Sequence, residues 1–216
     1  MTLPIDSVLG WAWMMENHPE LMEVGHRGFA PGENDHTIDQ RKIALPLEMR
    51  ESNGEWYWAA SFAFGRPVLE ERTHWHKRLD AQAAETYVDF GKRRGVVNTG
   101  SGYFKGYRMP LTIFLVPRLE WYVVGDAMRI QQLLSRVTHL GKKRSQGNGK
   151  VARWTVEPSS EDLSDRRPVP DPNGTEVAGF RPPYWWYKSW TSVRWPEDDQ
   201  LACNYVRRGL VGSMAD

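Results

Sequence analysis

The order of apolar patterns along the chain predicts an α+β fold, and three observations carry that reading. Runs rich in β-branched and aromatic residues come in pairs around turn signals, as at Ser52-Asn53-Gly54. Only two stretches, 6–17 and 127–139, have helical spacing of their apolar residues. The resulting order (strand–strand, strand, helix, loop, strand) fits a sandwich of sheet and helices better than a doubly wound parallel sheet.

Each element has a local reason. Asp6 to Asn17 places Val8, Leu9, Trp11, Ala12 and Met15 at helical positions and ends before His18-Pro19. Residues 25–40 are polar and read as a loop. Lys42 to Met49 and Trp56 to Phe64 are strand candidates, with Pro46 confining the first to an edge or a bulge. Residues 66–102 lack a clean period and contain Gly91, Gly95, Gly100 and Gly102. An insertion of that length in a compact domain is functional or mobile. Gly106 to Val116 and Arg118 to Val124 read as a second strand pair around Pro117. In 127–139, Met128, Ile130, Leu133, Leu134 and Val137 make an apolar face, with Asp126 as N-cap. Val151 to Val156 reads as a strand with Ala152, Trp154 and Val156 on one face. Core and insertion thus occupy 1–157, the insertion at 66–102.

Residues 158–216 form a small proline- and tryptophan-rich extension, read as β-rich. Six of the fourteen prolines fall in 158–183. Four tryptophans (Trp185, Trp186, Trp190, Trp195) follow within 184–195. Aromatic faces can stack unpaired bases, but so dense a cluster is read first as packing.

Composition narrows the function classes. The single cysteine, Cys203, excludes a disulfide framework and a cysteine-based zinc site. There is no 18-residue apolar run for a membrane helix and no signal-peptide pattern at the start, so a cytoplasmic protein is expected and Asn173-Gly174-Thr175 is read as a turn. The net charge of +1 conceals an uneven distribution. Residues 72–108 hold eight cations (Arg72, Lys77, Arg78, Lys92, Arg93, Arg94, Lys105, Arg108) against three acids. Residues 140–154 hold five cations and no acid, while 157–176 and 197–199 return the acids. Two basic segments in a balanced chain mark a local polyanion footprint.

The sharper of the two is Leu140-Gly141-Lys142-Lys143-Arg144-Ser145-Gln146-Gly147-Asn148-Gly149-Lys150-Val151. Its glycines permit left-handed backbone and close approach of a ligand to main-chain N–H groups, and its cations add charge, a combination suited to phosphates. It is not a nucleotide P-loop. Gly149-Lys150 is followed by Val151 rather than a hydroxyl residue, and the loop joins a helix's end to a strand's beginning, the reverse of that motif.

Helix, basic glycine loop, strand is the order in which the chain resembles the RAMP superfamily of CRISPR-associated proteins. Leu3-Pro4-Ile5-Asp6-Ser7-Val8-Leu9 is similar to the helix opening of several members. Gly102-Tyr103-Phe104-Lys105-Gly106-Tyr107-Arg108-Met109-Pro110, the pairs Trp121-Tyr122 and Gly125-Asp126, and Arg181-Pro182-Pro183-Tyr184-Trp185 resemble the type IV branch that caps the 5′ handle of the guide RNA. The resemblance spans most of residues 3–190. It implies a ferredoxin-like (RNA-recognition-type) sandwich with the 66–102 insertion as a thumb-like hairpin. The family's first strand belongs before Leu3, where only Met1 and Thr2 stand, so that strand is clipped or supplied otherwise.

The implied role is a noncatalytic subunit of a type IV ribonucleoprotein in plasmid interference and antiviral defence. Its partners would be the guide RNA, backbone and large subunits, and target DNA through the complex. The RNA-binding residues expected are Lys142, Lys143, Arg144, Ser145, Gln146, Gly147, Asn148, Gly149 and Lys150 in the loop. In and around the insertion they are Lys77, Arg78, Lys92, Arg93, Arg94, Tyr103, Lys105, Tyr107 and Arg108.

Two other classes are weighed beside it. Related proteins act as metal-independent endoribonucleases on precursor guides, for which His74, His76, Tyr103, Lys105, Tyr107 and His139 are the available acid–base groups. No spacing selects a pair among them. His74 and His76 would share a strand face but lack a third metal ligand, so no metal or other cofactor is expected. A pure protein-interaction module would fit the tryptophans and the neutral net charge.

Overall fold

The computed structural model describes residues 3–19, 43–80, 100–101, 105–141, 144, 147–184 and 190–196. The chain divides into two compact units, Met1–Gly65 with Arg118–Asp216, and Arg66–Pro117. The first contains helices α1 (Ile5–Asn17) and α2 (Ala127–Leu134) and strands β1 (Met49–Ser52), β2 (Glu55–Trp58), β5 (Val169–Pro170), β6 (Glu176–Ala178) and β7 (Thr191–Arg194). The second contains β3 (Leu69–Lys77) and β4 (Tyr107–Leu115). Helices and antiparallel sheets together make the architecture α+β.

In the first unit, β1 and β2 form a hairpin with Met49 opposite Trp58 and Ser52 opposite Glu55. Asn53 (φ 50°) and Gly54 (φ 72°) are both left-handed, the backbone that an Asn-Gly turn supplies between twisted strands. Both faces of β2 are covered. Trp56 and Trp58 join the core made by Ile5, Val8, Leu9 and Ala12 of α1 and Ile130, Leu133 and Leu134 of α2. Tyr57, pointing the other way, packs with Val169, Ala178, Phe180 and Val193 of the C-terminal sheet. That sheet has the order β5-β7-β6. A strand buried on both faces loses the polar alternation of a surface strand, hence Trp-Tyr-Trp.

Several expectations from the sequence differ from the structure. The strand read over 42–49 begins only at Met49, with an isolated bridge at Leu47 before it, and the strand read over 56–64 ends at Trp58 and continues as isolated bridges. Residues 118–125 do not pair with 106–116. They run beside the first hairpin through isolated bridges, Leu47 to Gly125, Ala60 to Val123 and Phe64 to Glu120. Gly125 is required there, since a Cβ would lie 2.0 Å from the Pro46 carbonyl oxygen. Helix α2 stops at Leu134 instead of running to 139. The chain tightens, with Arg136 N donating to Leu133 O (3.2 Å) and Val137 N to Leu134 O (2.9 Å), before entering an antiparallel neck. The Asp126 cap stands as expected, its carboxylate accepting from Met128 N (2.9 Å) and Arg129 N (3.1 Å). Finally, 151–156 form no strand. Trp154 and Val156 still pack inward, and Trp154 Nε1 donates to Val137 O (2.8 Å), so side-chain anchoring replaces a backbone ladder.

The start of the chain is held along the same sheet region. Pro4 bridges Phe62, and Leu3 O accepts from Ala63 N (3.2 Å) and from Trp121 Nε1 (2.8 Å).

The extension is bolted to the core by a buried charge. Arg167 and Asp6 are both fully buried and pair at 3.1 Å. Arg167 Nη1 also donates to the carbonyls of Trp58 (2.8 Å) and Ala60 (2.9 Å), while Nη2 donates to Phe180 O and the Tyr184 hydroxyl. The Tyr184 hydroxyl in turn donates to Asp6 (2.8 Å). Burial pushes that hydroxyl well above its ordinary pKa, so it stays protonated and able to donate. One guanidinium thus joins α1, the end of β2 and the extension. Nearer the surface, Arg50 of β1 pairs with Asp162 (2.7 Å) and Asp165 (3.1 Å). The Ser164 hydroxyl, then Arg50, hold the Asp162 carboxyl down at about 2.

The second unit is a two-stranded antiparallel ribbon, Leu69 opposite Leu115 through to Lys77 opposite Tyr107. Strand periodicity gives it two unlike faces. Leu69, Trp75, Tyr107, Met109, Leu111, Ile113 and Leu115 lie on one, with Glu71, Thr73 and Lys77; Arg72, His74, His76 and Arg108 lie on the other, with Glu70, Pro110, Thr112 and Phe114.

Candidate functional site

The basic glycine loop stands on a hairpin neck. His139 bridges Lys150, Leu140 N donates to Gly149 O (2.8 Å), and Val151 N donates to Thr138 O (2.9 Å). Gly141 (φ 80°), Gly147 (φ 81°) and Gly149 (φ 72°) are all left-handed. Gly149 is doubly constrained, because a Cβ would sit 1.8 Å from the Leu140 carbonyl oxygen. Gly149 therefore sets the backbone geometry of the neck, where the chain crosses itself at an isolated antiparallel bridge. Arg144 and Lys150 are exposed, and Arg144 turns back so that its guanidinium lies 5.4 Å from the ring centre of Trp11 on α1. Gly147 N donates to Arg144 O (2.9 Å). Lys142, Lys143, Ser145 and Gln146 lie outside the described residues.

The ribbon gathers the other described candidates at one end. Lys77 sits 5.9 Å over the Tyr107 ring, and Trp75 lies 5.0 Å from the same ring, all on the apolar face. On the opposite face Arg108 donates to His74 Nδ1 (3.1 Å), and the His74 and His76 rings are 6.3 Å apart. Partial desolvation, then the charges of Arg108, His76 and Arg72, hold the His74 imidazole below its ordinary pKa. His74 is thus a neutral acceptor at pH 7 in a row of cations. Arg78 and Lys105 are exposed just beyond the strand ends. Lys92, Arg93, Arg94 and Tyr103 fall outside the described residues.

The structure thus gives two basic surfaces, each within its own unit. Trp11 escaped the sequence reading as anything but an apolar helix position, since nothing local signals that a loop over a hundred residues later returns to it. Among the described residues, no group of three His, Cys, Asp or Glu side chains is placed to hold a metal ion. Nor, among them, is any helix long and apolar enough to cross a membrane.

An α+β protein with a glycine-built cationic loop and a separate two-faced ribbon is the class that fold and sites define. The family model for CRISPR type IV associated protein Csf3 matches residues 1–196, and the chain belongs to that family. A search of the curated proteins found no match.

Proposed function

We propose that this type IV CRISPR-associated protein is a noncatalytic guide-RNA-binding subunit that holds the 5′ handle of the CRISPR RNA. It would assemble with the backbone and large subunits and reach target DNA only through the complex. In this reading residues 1–157 are a ferredoxin-like RAMP core, the insertion at 66–102 is its thumb, and 158–216 is an extension bolted on by Arg167. The observation that carries the reading is the loop on its neck. Three left-handed glycines and a Cβ-free contact at Leu140 shape the loop, and its described cations Arg144 and Lys150 are exposed. Such a loop offers N–H groups and charge to successive phosphates without demanding a base sequence. The ribbon's cationic face and its aromatic end offer charge and stacking to a single strand.

The noncatalytic assignment is supported by where the acid–base groups lie. His74 and His76 share one ribbon face and Tyr107 lies on the other, so these three do not converge on one phosphodiester. An endoribonuclease reading would need a pair brought to one scissile 2′-OH and leaving oxygen.

Salt dependence of binding tests the loop. About four phosphate contacts to single-stranded RNA give a log–log salt slope near −3. Lys142→Ala with Lys143→Ala is expected to weaken binding and flatten the slope to about −1.4, with the melting temperature unchanged. Unchanged affinity and slope would remove the loop from the interface.

A further inference from the structure

We infer that Trp11 of α1 is a positioning residue for RNA, a platform that holds the Arg144 guanidinium so that its N–H edge meets a backbone phosphate. The inference rests on the loop reading above and names how one of its cations works. Arg144 lies in the glycine loop, on 3₁₀ backbone and outside any α-helix or strand. Yet its guanidinium lies 5.4 Å from the centre of the Trp11 ring. Trp11 is itself fixed, since it is partly buried and packs against the core formed by α1, α2 and β2.

A cation–π contact holds the guanidinium near the ring without tying its N–H donors to a carboxylate or carbonyl. The planar fork of donors is therefore left for a bidentate contact with phosphate. Among the described residues no carboxylate pairs with Arg144, so that fork is not consumed by an ion pair. Holding a rotamer-rich side chain in place before binding lowers the ordering cost that association otherwise carries. Elsewhere the chain uses an arginine beside aromatic rings differently. Arg181 lies 4.7 Å from both the Trp56 and Phe180 rings, but its Nη1 is occupied by Glu55 (2.7 Å) and Trp56 O (3.0 Å), a structural use.

The test is a double-mutant cycle on the full chain with a fluorescein-labelled oligonucleotide copying the 5′ end of the guide, read by anisotropy across a salt series. Arg144→Ala alone should weaken binding and reduce the salt slope by about 0.7, one phosphate contact. Trp11→Leu, which keeps an apolar group against the core, should weaken binding by about three- to ten-fold. In the Arg144→Ala background the same change should cost nothing. Trp11→Phe, which keeps a smaller ring face and the fold, should fall between wild type and Trp11→Leu.

If Arg144→Ala changes neither affinity nor slope, the positioning role is overturned, and the Lys142→Ala with Lys143→Ala salt series decides the loop reading separately. If Arg144→Ala weakens binding but neither Trp11 variant does, the positioning role is overturned while the loop reading stands. Equal losses from Trp11→Leu with and without Arg144 overturn it as well, and assign Trp11 to a direct RNA contact or to the fold alone.

Discussion

Replacing Arg167 by alanine is expected to destabilise the protein by about 3–5 kcal/mol, because it leaves the Asp6 carboxylate buried without its counter-ion. The same change removes donors from the carbonyls of Trp58, Ala60 and Phe180 and from the Tyr184 hydroxyl. Asp6→Ala is expected to cost a similar amount by stranding the guanidinium. The paired change Asp6→Leu with Arg167→Met should recover part of that loss. It removes both charges, but the carbonyls stay without a donor. Urea melts of the three variants give the comparison. A loss below about 1 kcal/mol for Arg167→Ala would mean that the extension is held by its apolar contacts and the ion pair is incidental.

The second large effect is expected at Gly149. A Cβ there meets the Leu140 carbonyl oxygen at 1.8 Å, on backbone already at φ 72°. Gly149→Ala must therefore open the neck and break the Leu140 N to Gly149 O hydrogen bond. The expected cost is about 1–3 kcal/mol in stability. RNA affinity should fall on the order of ten-fold or more, since charged contacts to phosphate are lost together. Gly147→Ala is the control. It shares the left-handed backbone (φ 81°) but has no atom within 4 Å of a Cβ, so it should cost about 1–2 kcal/mol at most and leave binding nearly intact. Binding isotherms and thermal melts of the two variants separate a lost neck from simple backbone strain.

What could be read from the sequence was what is local. The Asn53-Gly54 turn and the Asp126 cap depend on residues within one or two turns of each other, and both are where the sequence places them. Of the two helical faces, Val8, Leu9, Ala12, Ile130, Leu133 and Leu134 are buried as read, while Met15 and Met128 are exposed. The glycine loop was legible for the same reason, as its chemistry sits in a dozen consecutive residues. Pairings across long separations were not. Residues 118–125 are apolar enough to pair with either neighbour, and tertiary hydrogen bonds (Glu48 N to Val124 O, Ser61 N to Tyr122 O, Phe64 N to Glu120 O) with the close approach of Gly125 to Pro46 hold them beside 47–64. Strand β3 was hidden because Glu70, Glu71 and Arg72 break the apolar alternation. Its strand character comes from nine paired positions on β4. Arg167 sits beside Arg166 in an acid-rich stretch, and only the fold brings it to Asp6. Trp11 belongs with these, since its link to Arg144 is a tertiary contact.

The central claim is that this chain holds the 5′ handle of the guide. Site-specific photocrosslinking within the assembled complex tests it most directly, with 4-thiouridine placed at successive guide positions and the crosslinked peptides identified by mass spectrometry. The account predicts that handle positions crosslink to peptides containing 140–151 and to the ribbon end around Lys105 to Arg108, and that positions deep in the spacer do not. Handle crosslinks falling entirely on other subunits, with this chain unlabelled at every guide position, would contradict it.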